Sequence, residues 1–280
     1  MEKDNLSFHL TSVQLRFTLA GEFTRWASNL YSRVWRNMDA SKSLSFMNVQ
    51  GIHVRLQLLG DPKRAEVLQR FFKTGPGEYG EGDVFVGIRA SEIRKIAKEY
   101  QALSLSETVK LLQSSIHEAR VLALLLMVRA YAKGEAPLQE KICNLYLQNT
   151  RFVNNWDLVD ISAEHIVGSH LRYRRKAPLH ALAASNLLWE RRIAVMATFY
   201  YIKHGEFTET LNIAGMLLSD TEDLIHKAVG WMLREIGKRD HIAEEVFLRA
   251  HYKLMPRTML RYAIERFPED LRQRYLKGEV

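Results

Sequence analysis

The chain has 280 residues, 47% hydrophobic and 26% charged, with a formal net charge of +8. That length builds one large or two ordinary domains around an ample core, and only 6 Pro and 15 Gly argue against a β-sandwich or a disordered chain. The lone cysteine, Cys143, excludes an intramolecular disulfide and makes the cytosol the expected compartment, while the positive excess admits nucleic acid or an anionic membrane surface as partner.

Taken in chain order, residues 1–57 come first. "SVQLRFTLAGEFTRWASNLYSRVWRNM" suits a helix or two, but "DASKSLSFMNVQGIHVRLQ" has no clear period. We read 1–57 as an N-terminal extension, either poorly ordered or the product of an overlong start-site assignment, since Met47 stands just before the helical region. Glu2, Asp4 and Glu22 without an apolar core give no export signal. The longest purely apolar run, Val121–Val128, is too short to span a bilayer, so no membrane partner is expected.

A domain of 58–280 follows, read as successive amphipathic helices with short breaks and almost no strand-like alternation. Asp61-Pro62 opens a helix running to Phe72, Ser91 caps one through Tyr100, Ser104 or Ser106 starts a third, and His117–Ala132 is a fourth. Pro137, Asn154–Asn155, Pro178, Asn186, Thr221–Glu222 and Pro256 mark later starts; Gly134, Gly205 and Gly237 sit near ends. "HEARVLALLL", "WERRIAVMAT" and "LIHKAVGWML" superimpose, with Arg120, Arg192 and Lys227 in similar places. The first step is 72 residues, twice 36, and the second is 35, which puts a missing unit near Trp156 and a further one near Arg261. Such a period predicts an all-α, HEAT-like repeat solenoid whose equivalent helices line a concave basic groove. A solenoid supplies its own core, so a monomer is expected.

"RFVNNWDLVD" (151–160) carries the sharpest signal. With Asn154 or Asn155 as N-cap, Trp156 and Asp160 share one face of the first two turns. A ligand groove accounts for an aromatic and a carboxylate together; so does a surface Asp paired with a nearby Arg, with the Trp packed between repeats. Arg191 and Arg192 in "WERRIA" fit a bidentate grip on phosphate or a structural pairing between repeats. "LRYRRKAP" (171–178), with Arg172, Arg174, Arg175 and Lys176, fits a backbone contact to nucleic acid or a solvated basic turn, and Lys238–Arg239 reads the same way. The Gly-rich "GPGEYGEGDVFVG" (75–87) lacks the Lys-Ser/Thr of a P-loop, and its Glu78, Glu81 and Asp83 repel phosphate, so it is a structured connection. His165 and His170 do not share a helix face as metal ligands would.

Together, "RFVNNWDLVD", "WERRIAVMA", "KAVGWMLREIGK" and "FFKTGPGEYGEGDVFVGIR" resemble the AlkD-type DNA alkylation repair family of HEAT-like DNA glycosylases, over about residues 58–275. The resemblance implies hydrolysis of the N-glycosidic bond of N3- and N7-alkylated purines in duplex DNA, without a metal or organic cofactor and without extruding the base into a pocket. It implies a catalytic set of Trp156, Asp160, Arg192 and Trp231, with Arg191 as the alternative if the tandem register is off by one, and a backbone contact at Arg234. One departure stands out: some members present a Tyr from the early helix, where this chain has Phe71 and Phe72. A non-enzymatic DNA-binding solenoid and a protein-interaction scaffold are the competing readings; the scaffold has no need of the Asp160 carboxylate.

Overall fold

The computed structural model describes residues 48–280, and among them secondary structure is helical apart from one isolated parallel bridge, Val84 to Ile116. The expectations for the stretch before residue 48 lie outside the described residues. The boundary drawn at 57/58 is corrected, because it falls inside α1 (Val49–Leu59). Asn48 caps that helix by accepting the Gly51 N–H at 2.9 Å. Its Ile52 and Leu56, four apart, are fully buried in the main core.

Asp61 and Pro62 start α2 (Pro62–Phe71): the Asp61 carboxylate accepts the Lys63 and Arg64 N–H groups. A long connection leads to α3 (Ala90–Glu99), whose cap is Arg89 and not the expected Ser91. The chain enters this helix already fixed: the buried Glu118 carboxylate accepts the N–H groups of Val86, Gly87 and Ile88 at 2.7–3.2 Å. Gly87 is required there, since its φ is +87° and a Cβ would meet the Asp61 carbonyl at 2.1 Å. Ser104 caps α4 (Leu105–Leu112) through the Glu107 N–H. Next comes α5 (His117–Lys133), buried on almost every face.

The second half repeats the pattern with α6 (Ala136–Gln148) and α7 (Trp156–Asp160), the latter continuing through a π-turn at Glu164–Gly168 into α8 (Ser169–Leu171). Then follow α9 (Ala177–Ala183), α10 (Leu188–Ala197), α11 (Phe199–Ile202) and α12 (Thr208–Met216). The chain ends with α13 (Asp223–Gly237), α14 (His241–His251), α15 (Arg257–Ala263) and α16 (Glu269–Lys277). Packing advances with the chain: α5 rests on α3, α4 and α6; α10 on α7, α9 and α13; α13 on α12, α14 and α15. Arg120, Arg192 and Lys227 each fall in the first half of one of these helices, whereas Arg261 lies in the last turn of the short α15. The helices approach closely at Gly230, where a Cβ would meet the Met259 carbonyl at 2.4 Å and the Tyr262 Cβ at 2.6 Å. That contact lets α15 press onto α13 and sets Tyr262 beside Trp231. Among the described residues no helix is long and apolar enough to cross a membrane.

Candidate functional site

Asn155 is the N-cap of α7, accepting the Trp156 N–H at 2.9 Å. Its amide donates to Asp83 Oδ2 at 3.1 Å, while the neighbouring Asn154 accepts from Arg120 Nη1 at 2.6 Å. The paired asparagines therefore tie the start of α7 to the Gly-rich connection and to α5. From this start Trp156 and Asp160 project on one side, as the i,i+4 spacing predicted.

Asp160 meets Arg192. The guanidinium donates from Nε to Oδ1 at 3.0 Å and from Nη2 to Oδ2 at 2.9 Å, a bidentate pair, and from Nη1 to the Leu224 carbonyl at 2.8 Å. Arg192 is 6% exposed and Asp160 19%. Burial pushes the Asp160 carboxyl above its ordinary value, with Arg192 opposing and Asp157 adding to the rise. Beside this pair lies a cleft of about 220 Å³ lined by Trp156, Arg192, Leu224, Lys227, Trp231 and Tyr262. Trp156, Arg192 and Trp231 are thus brought together around one opening, with Asp160 behind it on Arg192. Lys227 and Tyr262 join them. Sequence reasoning aligned Lys227 with Arg192 and did not draw the consequence; Tyr262 lay unnoticed beside the repeat-equivalent Arg261.

An aromatic stack holds Trp156 from behind. Phe72 stacks on it at 5.2 Å and on Phe85 at 5.0 Å, Phe85 stacks on His117 at 4.3 Å, and the exposed Phe71 meets the edge of Trp156 at 6.2 Å. His117 lies between two carboxylates, Nδ1 to Asp83 and Nε2 to Asp157, each at 2.9 Å. Carboxylates only accept, so both ring nitrogens donate and the ring is the imidazolium. Burial opposes that charge, but the hydrogen bonds to Asp157 and Asp83 outweigh it and raise the His117 pKa. Asp83 also accepts from Arg120 Nη2 at 2.5 Å. Burial would raise the Asp83 carboxyl, yet His117 and Arg120 hold it down at about 2. The acidic residues of the Gly-rich connection are therefore consumed internally: Glu78 accepts the Gly75 N–H, Glu81 the Gly77 N–H, and Asp83 closes this network.

The remaining expected DNA contacts are less exposed to a partner than their charges suggested. Arg191 points away from the cleft, donating to Asp220 at 2.6 Å and to the Ser185 carbonyl at 3.0 Å. Arg234 pairs with Glu265. Glu235 collects Trp231 Nε1 at 3.2 Å, Lys238 at 2.5 Å and Arg239 at 3.2 Å. The "LRYRRKAP" cations follow α8, at the far end of the helical run that begins with Trp156. Fifteen residues at 1.5 Å each put them roughly 22 Å from it. There Arg172 donates to Glu206, Arg174 to the His170 carbonyl, and Lys176 to the Leu171 and Arg172 carbonyls, while Arg175 is exposed. These four do not line the cleft. Among the described residues no group of three or more His, Cys, Asp or Glu side chains is arranged to hold a metal ion.

The sequence matches a family model described as DNA alkylation repair enzyme over residues 52–267. No curated protein matches the chain. The solved structure of a predicted DNA alkylation repair enzyme from Enterococcus faecalis superimposes with a TM-score of 0.60 at 18% identity, covering 76% of this chain and 99% of that one. AlkD2 from Streptococcus mutans superimposes with a TM-score of 0.47 at 17% identity, over 73% and 97% of the two chains.

Proposed function

This chain belongs to the DNA alkylation repair enzyme family, and on that premise we propose that it is a DNA glycosylase. It hydrolyses the N-glycosidic bond of N3- and N7-alkylated purines in duplex DNA, as a monomer in the cytosol and as a first step of base excision repair. In this reading the helices form a HEAT-like solenoid whose concave side holds the duplex. The observation that carries the reading is the convergence of Trp156, Arg192 with its partner Asp160, and Trp231 on one cleft.

A purine alkylated at N3 or N7 is cationic and already a good leaving group. The C1′–N bond breaks with its electron pair going to the base, which departs neutral, and the deoxyribose takes the positive charge. Asp160 stabilises that charge and orients water, whose oxygen bonds C1′ and whose proton passes to the carboxylate. The faces of Trp156 and Trp231 flank the sugar and add cation–π attraction. Arg192 fixes Asp160 in register. Of its five N–H donors three serve Asp160 and Leu224, which leaves two for a phosphate at the cleft.

The cleft is small, about 220 Å³, which supports engagement of the lesion through its sugar and phosphate without extrusion of the base. Release of free 7-methylguanine and 3-methyladenine from duplex DNA by the wild-type chain tests the activity, and release of bulky N7 adducts tests the mode of engagement. Methyl adducts released with bulky ones rejected would overturn the second part. Duplex binding with no release of any base would favour a non-enzymatic DNA-binding protein, and the Asp160–Arg192 pair would then be purely structural.

A further inference from the structure

One side of the cleft takes no part in the chemistry at C1′. There α13 presents Leu224, Lys227 and Trp231, spaced three and four apart on one helical face, and α15 brings Tyr262 against them. The approach of α15 is set at Gly230, where any Cβ would lie 2.6 Å from the Tyr262 Cβ. Tyr262 is half-buried, yet its hydroxyl makes no hydrogen bond to any described residue and stays open to solvent. A packed tyrosine normally finds a partner for its hydroxyl. Tyr146 bonds Ser162 at 3.0 Å and Tyr252 bonds the Val280 carbonyl at 2.7 Å. Tyr262 instead keeps a free donor on the wall of a cleft that two indoles also line.

Two cations stand on the same wall, and they differ in commitment. Arg192 is 6% exposed and holds Asp160 and the Leu224 carbonyl. Lys227 is 40% exposed, and its partner at 2.6 Å is Asp223, itself 56% exposed on the same helix. A pair this exposed contributes little, so a phosphate oxygen can take the place of the Asp223 carboxylate. The cleft, at about 220 Å³, has room for a single sugar or phosphate, so two donors on its wall reach the same group.

We infer that Tyr262 and Lys227 hold one backbone phosphate of the duplex on the α13–α15 side of the cleft: the Tyr262 hydroxyl donates to a non-bridging oxygen and the Lys227 ammonium supplies the charge. The inference rests on the DNA reading above and adds to it the residues that seat the strand. Trp231, one turn beyond Lys227 on the same helical face, then meets the adjoining sugar. Gly230 is the residue that lets the hydroxyl arrive from a neighbouring helix.

The experiment measures affinity of the full chain for a duplex bearing one tetrahydrofuran abasic-site analogue, which fixes the register and offers no bond to cleave. Wild type, Tyr262→Phe, Lys227→Gln and the double variant are compared across salt, and again with single methylphosphonates stepped through the analogue strand. Lys227→Gln is expected to flatten the slope of log K against log salt by about 0.9, the share of one phosphate contact. Tyr262→Phe is expected to leave the slope unchanged and weaken binding about fivefold, the loss of one hydrogen bond. The double variant is expected to lose less than the product of the two, and one methylphosphonate position should abolish the effect of both substitutions, because both groups serve one phosphate. Urea midpoints of both single variants are expected to match wild type. Unchanged affinity in Tyr262→Phe, a wild-type slope in Lys227→Gln, or different methylphosphonate positions for the two would overturn the shared phosphate while leaving the glycosylase reading intact. Stability and affinity lost together in Tyr262→Phe would overturn it as well, by making the hydroxyl structural. A wild-type chain that neither binds duplex DNA nor releases a base removes the reading and the inference together.

Discussion

Two arginines in the first half of two helices make two ion pairs of different character. Arg120, near the start of α5, meets Asp83; Arg192, near the start of α10, meets Asp160. The first pair is closed on every side. Asp83 is 1% exposed, His117 and Asn155 take its second oxygen, and the Phe72–Phe85 stack seals it from the cleft. The second pair stands at the edge of the cleft with Asp160 still 19% exposed and no further donor on its oxygens beyond Arg192. One geometry thus serves two ends. Where every lone pair is taken, the carboxylate locks helices together; where one flank stays open, the same carboxylate remains available to a positive charge arriving from outside.

The contrast breaks most decisively at the closed pair. Asp83→Asn leaves Arg120 and the His117 imidazolium short of their buried counter-charge, and a loss of about 3–5 kcal/mol in denaturant stability is expected. A loss under about 1 kcal/mol would show that the closed network does not hold α5, α7 and the Gly-rich connection together.

Titration sharpens the difference next. The His117 pKa is raised above its ordinary 6.5, so its contribution to stability is complete below 6.5 and is lost as pH rises through the folded value. Asp83 is depressed to about 2, so its contribution is complete above 3.8 and is lost as pH falls toward that value. The closed network is therefore strongest between 3.8 and 6.5. Asp160 has the opposite sign: its raised pKa means that acidification costs chemistry without costing stability. Base release should fall off on the acid side above pH 3.8, while urea midpoints over the same interval do not fall, because protonation of a carboxyl with a raised folded value favours the folded state. An acid limb that tracked the loss of stability would assign the titration to the closed network.

The smallest expected effect is at the far end of the α7–α8 run. Arg172→Ala should leave both base release and the salt dependence of DNA binding within error of wild type. A flatter salt slope would bring the "LRYRRKAP" turn back into the path of the duplex.

Local signals and long-range partners divide what the sequence made legible. Asp61, Ser104 and Asn155 announced helix starts because a cap is set by neighbours a few residues away. Ser91 misled because the true start, at Ala90, is fixed by Glu118 from another helix. Likewise α1 shows no clear period, and its Ile52 and Leu56 are buried by packing on α4 and α5. The side shared by Trp156 and Asp160 followed from helical spacing, and the period of about 36 pointed to Arg192. Neither could show that the arginine gives two of its donors to Asp160 and a third to the Leu224 carbonyl. The basic residues were legible as charge and not as accessible charge: Glu206, Asp220, Glu235 and Glu265, each distant or unremarked in sequence, claim Arg172, Arg191, Lys238 with Arg239, and Arg234.

The measurement that bears most directly on the central claim is single-turnover release of 7-methylguanine from duplex DNA by wild type and Asp160→Asn, with affinity for the same duplex recorded in parallel. Asparagine keeps the shape and a hydrogen bond to Arg192 and removes the negative charge. A rate lower by roughly 10²–10³ with binding retained is expected. Release at the wild-type rate by Asp160→Asn would contradict it, and would make the open pair as structural as the closed one.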